Sequence, residues 1–216
     1  MELNREETLR YLGYGGAQPD ETVERLLGEG WMLLQEAGAP KSICARFPLV
    51  WNEKALCAIG PVPVQSGALS RHVAGCEEAW LFAATLGAGV DLLLSRLGRT
   101  RVSLAVVVQA EAAAWIEDVC NAEEERLKQR VREEGLYLRP RFSPGYGDFS
   151  IACQKPLVQL LDCSRRIGLT VTEGQMLAPA KSVTAVIGIG KTPGACHKLG
   201  CACCGKTDCP FRRKQQ

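Results

Sequence analysis

Long apolar runs and a charge surplus of one sign are missing from this 216-residue chain, and no secretory leader is expected. No stretch of about 18 apolar residues occurs. The best candidate, residues 79–94, is interrupted by Thr85, Gly87, Gly89 and Asp91, which excludes a membrane span. Lys and Arg number 26 against 24 Asp and Glu, a net +2, so the whole chain projects no strong field toward nucleic acid or an anionic membrane. The opening Met1-Glu-Leu-Asn-Arg-Glu-Glu is charged and acidic where a leader needs a basic start and an apolar run. The expected setting is therefore cytoplasmic and reducing. No internal repeat is visible. What remains is ordinary for a globular domain, 46% hydrophobic and 23% charged, with length enough to bury a core without disulfides.

Familiar catalytic signatures are also absent. Gly190-Lys191-Thr192 resembles the end of a phosphate-binding loop, but the glycine required five residues before Gly190 is Ala185, and cysteines follow instead of a helix. Gly87-Ala88-Gly89 has Leu92 where a dinucleotide loop needs its third glycine, so it reads as a tight strand-to-helix turn. His72 has no second histidine near it and reads as a surface or capping residue.

The periodicity predicts interspersed helices and strands. Asp20 is a good N-cap for a helix over 20–37, ending near Gly38. Residues 42–51 and 54–60 read as short strands, 66–74 as a helix, 79–86 as a buried strand and 89–97 as a helix. Residues 101–134 form one long helical stretch whose second half is heavily charged, with only Leu127 and Val131 as apolar marks. Pro156 suits a first helical position, with Leu157, Leu160 and Leu161 on one face up to Gly168. Residues 169–173 and 182–189 read as a strand pair. The fold class expected is α+β.

Cysteine is abundant, and its distribution is uneven. Six of the eleven (Cys44, Cys57, Cys76, Cys120, Cys153, Cys163) are scattered, and read as core fillers. The other five fall in residues 191–216, where six Lys and Arg meet one Asp, a local +5 that leaves −3 for the rest. The expected division is a body, 1–190, and a basic cysteine-rich tail, 191–216. Cys196, Cys201, Cys204 and Cys209, with Cys203 spare and His197 as a possible substitute, supply four soft donors for zinc or an iron–sulfur cluster. The spacing does not choose between them.

A second chemical feature is Leu138-Arg-Pro-Arg-Phe-Ser-Pro-Gly-Tyr-Gly-Asp148. Its prolines and glycines impose an irregular backbone, and N–H groups beside Gly145 and Gly147 stand to meet a ligand. Arg139 or Arg141 offers a fork for carboxylate or phosphate, and Tyr146 an aromatic face with a hydroxyl.

Arg141-Phe-Ser-Pro-Gly-Tyr146 resembles the Arg-Pro-Ala-Pro-Gly-Tyr loop in the activation domain of cobalamin-dependent methionine synthase. The helix through Leu160-Leu161, Ile167-Gly-Leu-Thr-Val-Thr-Glu173, and Pro179 three residues before Ser182-Val183 follow the same family's order. The resemblance covers residues 110–190. Leu9-Arg-Tyr-Leu-Gly-Tyr14 and Ala83-Ala-Thr-Leu-Gly-Ala-Gly-Val-Asp91 are similar to free-standing single-domain relatives.

The resemblance implies an α+β domain that binds S-adenosylmethionine and restores methylcobalamin, on a separate methionine synthase or related corrinoid protein, from cob(II)alamin. By that resemblance Arg141 would bind the methionine carboxylate, backbone groups of Ser143 and Gly145 would line the ligand, and Tyr146 would stand beside it. Glu117 aligns with a glutamate facing the amino group, with Asp118 or Glu111 as alternatives. No counterpart of the family's N-terminal aspartate is found. Gly147-Asp148-Phe149 replaces the Pro-Ala-Cys-Pro of fused synthases, which alters the adenosine side. The chain would be one component of a methyltransferase system, supplied with electrons by its own cluster or by a flavodoxin- or ferredoxin-type donor. Two other readings stand beside this one: an iron–sulfur electron-transfer activator that does not use S-adenosylmethionine, and a zinc-binding adaptor resting only on the +5 tail, which lacks the aromatic interleaving of a nucleic-acid binder.

Overall fold

A computed structural model describes residues 2–14 and 17–193. Its organising elements are the strands Cys76–Thr85 (β4) and Ser182–Gly190 (β8), which are buried over long unbroken stretches. A strand covered on both faces needs no polar alternation. Successive side chains of β4 serve two cores: Ala79, Leu81 and Ala83 join Ile43 and Val186, while Trp80, Phe82 and Ala84 join Ala185 and Ile187.

Around this pair the sheet is antiparallel throughout. Lys41–Asn52 (β1), Ala55–Ile59 (β2), Val62–Pro63 (β3) and Tyr137–Leu138 (β5) complete the order β3-β2-β1-β4-β8-β5. β1 serves two neighbours: its first eight residues pair with β4, from Lys41 opposite Thr85 to Pro48 opposite Glu78, and its last four pair with β2.

Helices cover each face. On one lie Arg5–Tyr11 (α1), Glu21–Ala37 (α2), Ala88–Thr100 (α4) and the 32-residue Val102–Glu133 (α5). On α5 the buried Leu104, Val108, Ala112, Ile116, Cys120, Leu127 and Val131 recur at four- and seven-residue steps, the spacing that keeps one stripe toward the sheet. Gly67–His72 (α3), Gln154–Leu160 (α6) and Cys163–Ile167 (α7) pack on the opposite face. The Asp20 carboxylate caps α2 by accepting from the Val23 amide at 2.9 Å. No described helix is long and apolar enough to cross a membrane.

The α+β expectation holds, with helices on a mainly antiparallel sheet. Three local expectations do not. Residues 170–171 (β6) pair with Leu177–Ala178 (β7), not with β8. The Thr172 amide donates to Met176 and the Gln175 amide to Thr172, turning the chain back on itself, while both edges of β8 are already taken by β4 and β5. Pro156 is the third residue of α6 rather than the first, because a 3₁₀ turn at Ile151–Cys153 starts the helix earlier. It is tolerated there because amides of the first turn have no intrahelical acceptor. The helix does not run unbroken to Gly168 either, since Asp162 adopts a left-handed conformation between α6 and α7.

The scattered cysteines divide. Cys76, Cys120 and Cys163 are buried and Cys44 and Cys153 half-buried, but Cys57 is exposed. It sits on β2 between the buried Leu56 and Ile59. All six are unpaired thiols.

Candidate functional site

Beyond β5 the chain stays close to β8. Phe142 and Val186 exchange both backbone hydrogen bonds at 2.9 Å, which fixes the alternation of side chains along the segment. Phe142 turns into the core with α3, where its ring lies 4.8 Å from His72 and 6.2 Å from Phe149. Arg141, one residue earlier, reaches α5 on the other face.

There it meets Glu117, Asn121 and Glu124. Steps of four and three residues put these three on one face of α5. Arg141 Nη2 donates to Asn121 Oδ1 at 2.7 Å and lies 3.2 Å from Glu117 Oε2, while Nε lies 3.0 Å from Glu124 Oε2. The guanidinium is thus held at Nε and Nη2, with its side chain 18% exposed. Beneath it, burial pushes the Cys120 thiol up to about 12, although Arg141 opposes the shift.

α1 closes over the same helix. Asn4 Nδ2 donates to Asp118 Oδ1 at 2.9 Å. Burial foremost, then the charges of Glu7 and Glu117, raises the Tyr11 hydroxyl above its ordinary pKa, which puts its phenol in the field of the Arg141 cluster.

The loop after Arg141 is built from its own backbone. The Tyr146 amide donates to Ser143 at 3.1 Å, the Gly145 amide to Phe149 at 2.7 Å and the Phe149 amide to Tyr146 at 2.9 Å. Positive φ at Gly145 (95°) and Gly147 (55°) permits this path, and a Cβ on Gly147 would come within 2.9 Å of Ala68. Asp148 then fastens the loop to α3, accepting from Ser66 Oγ at 2.5 Å and from the amides of Gly67 and Ala68 at 2.9 Å.

Arg141 and Glu117 therefore meet, and Tyr146 stands on the adjoining loop, 58% exposed, with its ring edge-on to Phe142 at 5.8 Å. In the loop itself the Ser143 carbonyl accepts from the Tyr146 amide and the Gly145 N–H donates to the Phe149 carbonyl. Of the alternatives for Glu117, Asp118 is bound to Asn4, and Glu111 is wholly buried beside Gly30 of α2, away from the cluster. Arg139 is also structural. It is buried and donates to the Thr192 carbonyl at 2.9 Å, where the chain leaves β8. His72 donates its Nε2–H to the Pro140 carbonyl at 2.8 Å, a fixing contact as its sequence context suggested.

Asn121 and Glu124 carry no motif that marks them as site residues. The 117/121/124 spacing was the available sign, hidden in a run of charge that reads as a solvated helix face. Cys196, Cys201, Cys204 and Cys209 lie outside the described residues. Among the described residues, no group of three or more His, Cys, Asp or Glu side chains is arranged to hold a metal. A groove of about 310 Å³ between α6, α7 and β6, lined by Lys155, Asp162 and Thr170 among others, shares no residue with the Arg141 cluster.

The chain shares its fold with the MetH reactivation domain. A crystal structure of that domain bound to AdoHcy aligns with a TM-score of 0.57 at 16% identity, over 84% of this chain and 72% of that chain. The likeness is in the fold: helices on both sides of a mainly antiparallel sheet. No protein-family model matches the sequence, and no curated protein does.

Proposed function

We propose that this chain is an S-adenosylmethionine-binding reactivation factor for the cobalamin of a separate methionine synthase or related corrinoid protein. The observation that carries the reading is the pairing of Arg141 with Glu117 across the loop and α5, at 3.2 Å, in a fold shared with a domain solved with AdoHcy bound. A guanidinium beside a carboxylate suits an amino-acid head group, the first taking its carboxylate and the second its ammonium. Tyr146 and the free face of the Asp148-anchored loop would line the rest of the ligand.

The chemistry served is reductive methylation. With one electron from a flavodoxin- or ferredoxin-type donor, or from the chain's own tail, the partner's cob(II)alamin would accept the sulfonium methyl, and the broken carbon–sulfur bond would leave a neutral thioether on this chain. This chain's contribution is positional, since a methyl held in line over the partner's cofactor turns a bimolecular encounter into a local one.

Titrating S-adenosylmethionine into the purified chain by calorimetry tests the reading. Wild type should bind saturably and Arg141→Ala should not. Equal binding by both would show the site to be misplaced, and no binding by wild type would end the proposal.

The four tail thiolates of Cys196, Cys201, Cys204 and Cys209 are proposed to hold one metal centre, supported by their spacing. Anaerobic purification with metal and sulfide analysis decides its role: iron, sulfide and visible absorption make it an electron carrier, and stoichiometric zinc makes it a docking knuckle.

A further inference from the structure

The Arg141 cluster holds more negative charge than its arginine neutralises. Glu117 and Glu124 both contact the guanidinium, and Asp118, one residue from Glu117, has among the described residues only the neutral Asn4 amide as its partner. Other nearby carboxylates are compensated: Glu7 pairs with Arg10 at 2.5 Å, and Glu123 pairs with Arg126. Three carboxylates against one guanidinium leave the cluster at −2.

That balance bears on what the site prefers to hold. An amino-acid head group is a zwitterion and changes the sum by nothing. A ligand that also carries a fixed cation, such as a sulfonium, reduces the surplus, and its neutral thioether counterpart does not. Asn121 gives Arg141 Nη2 a neutral acceptor at 2.7 Å, and a neutral acceptor at Nε would fix the guanidinium there as Glu124 does, so placement alone calls for no charge at position 124. Its charge is the part left to explain.

We propose that Glu124 is a specificity-determining residue, whose carboxylate sets the site to retain the cationic sulfonium ligand and to release the neutral thioether left after methyl transfer. This rests on the S-adenosylmethionine reading above. Glu124 is half-buried, its side chain 22% exposed, so its field is only partly screened. At a separation within one ligand's length, a unit charge in such an environment is worth roughly tenfold in affinity.

The test is calorimetric binding of S-adenosylmethionine, S-adenosylhomocysteine and the ammonium analogue sinefungin to wild type, Glu124→Gln, Glu124→Asp and Glu125→Gln. Wild type should bind S-adenosylmethionine and sinefungin about tenfold more tightly than S-adenosylhomocysteine. Glu124→Gln should lose most of that ratio, and Glu124→Asp should keep it. Glu125→Gln removes a charge from an exposed residue paired with Lys128, and should leave the ratio unchanged. A ratio equal in wild type and Glu124→Gln, or one lost equally in Glu125→Gln, would overturn the assignment while leaving the ligand reading intact. Failure of wild type to bind any of the three would overturn both.

Discussion

The Asp148 carboxylate is bonded to Ser66 Oγ at 2.5 Å, and through that contact and the amides of Gly67 and Ala68 the loop bearing Tyr146 is fastened to the first turn of α3. These donors, Ser66 foremost, hold the Asp148 carboxyl below its ordinary pKa. A carboxylate lowered in the folded state contributes while ionised and loses that contribution as the pH falls through its folded pKa. The loop should therefore stay fastened through the neutral range and loosen only in acid. Asp148→Ala should raise amide exchange across residues 144–149 at pH 7 and weaken S-adenosylmethionine binding several-fold, with thermal stability little changed. Unchanged exchange in that loop would show the clamp to be incidental.

The six thiols of the body should react in an order set by burial. Cys57 is exposed on β2, whereas Cys120 and Cys163 are buried, with thiols pushed up to about 12 and about 11. Only the thiolate attacks an alkylating agent, so burial and their raised thiols hold Cys120 and Cys163 back, while exposure favours Cys57. Timed iodoacetamide labelling with peptide mapping at pH 8 should modify Cys57 first among these six. Cys120 and Cys163 should react only in denaturant.

Much of this fold is legible in the sequence because its signals are local. The Asp20 cap, the Gly87 turn and the apolar run into β4 each declare an element without help from the rest of the chain. Pairing is not local, and so the sequence points residues 170–171 to the wrong partner: β7 is two residues long and has no periodicity to read. The site divides in the same way. Arg141 stands out because prolines and glycines surround it, and Glu117 was reached through family resemblance. Glu124 and Asn121 become visible only when α5 is rolled up beside the loop, since a charged helix face looks the same whether it meets water or an arginine.

Glu111 is the exception to the rule that buried carboxylates have partners. It is 0% exposed, neither oxygen has a hydrogen-bond partner among the described residues, and burial raises its carboxyl to about 8. An unfolded glutamate ionises near 4.5, so between these limits the folded chain keeps a proton that the unfolded chain has lost. Stability should then fall as pH rises across that window, by about 1.4 kcal/mol per unit from this residue alone. Glu111→Gln does not titrate, and should gain on wild type steadily from pH 5 to pH 8 in chemical denaturation. A constant difference between the two would mean that Glu111 is ionised in the folded chain.

Gly30 is what makes room for that side chain. A Cβ at this position of α2 would lie 2.5 Å from Glu111 Oε2 and 3.1 Å from Val108 Cγ2. In an open helix, Gly→Ala gains up to about 1 kcal/mol from backbone propensity. Here the added methyl meets a buried carboxyl that packing keeps from swinging aside, so Gly30→Ala should lower the melting temperature instead. The two positions should be coupled. Glu111→Ala empties the space the methyl needs, so Gly30→Ala in that background should recover its favourable sign. Additive effects in the double-mutant cycle would show that α2 and α5 do not meet through this pair.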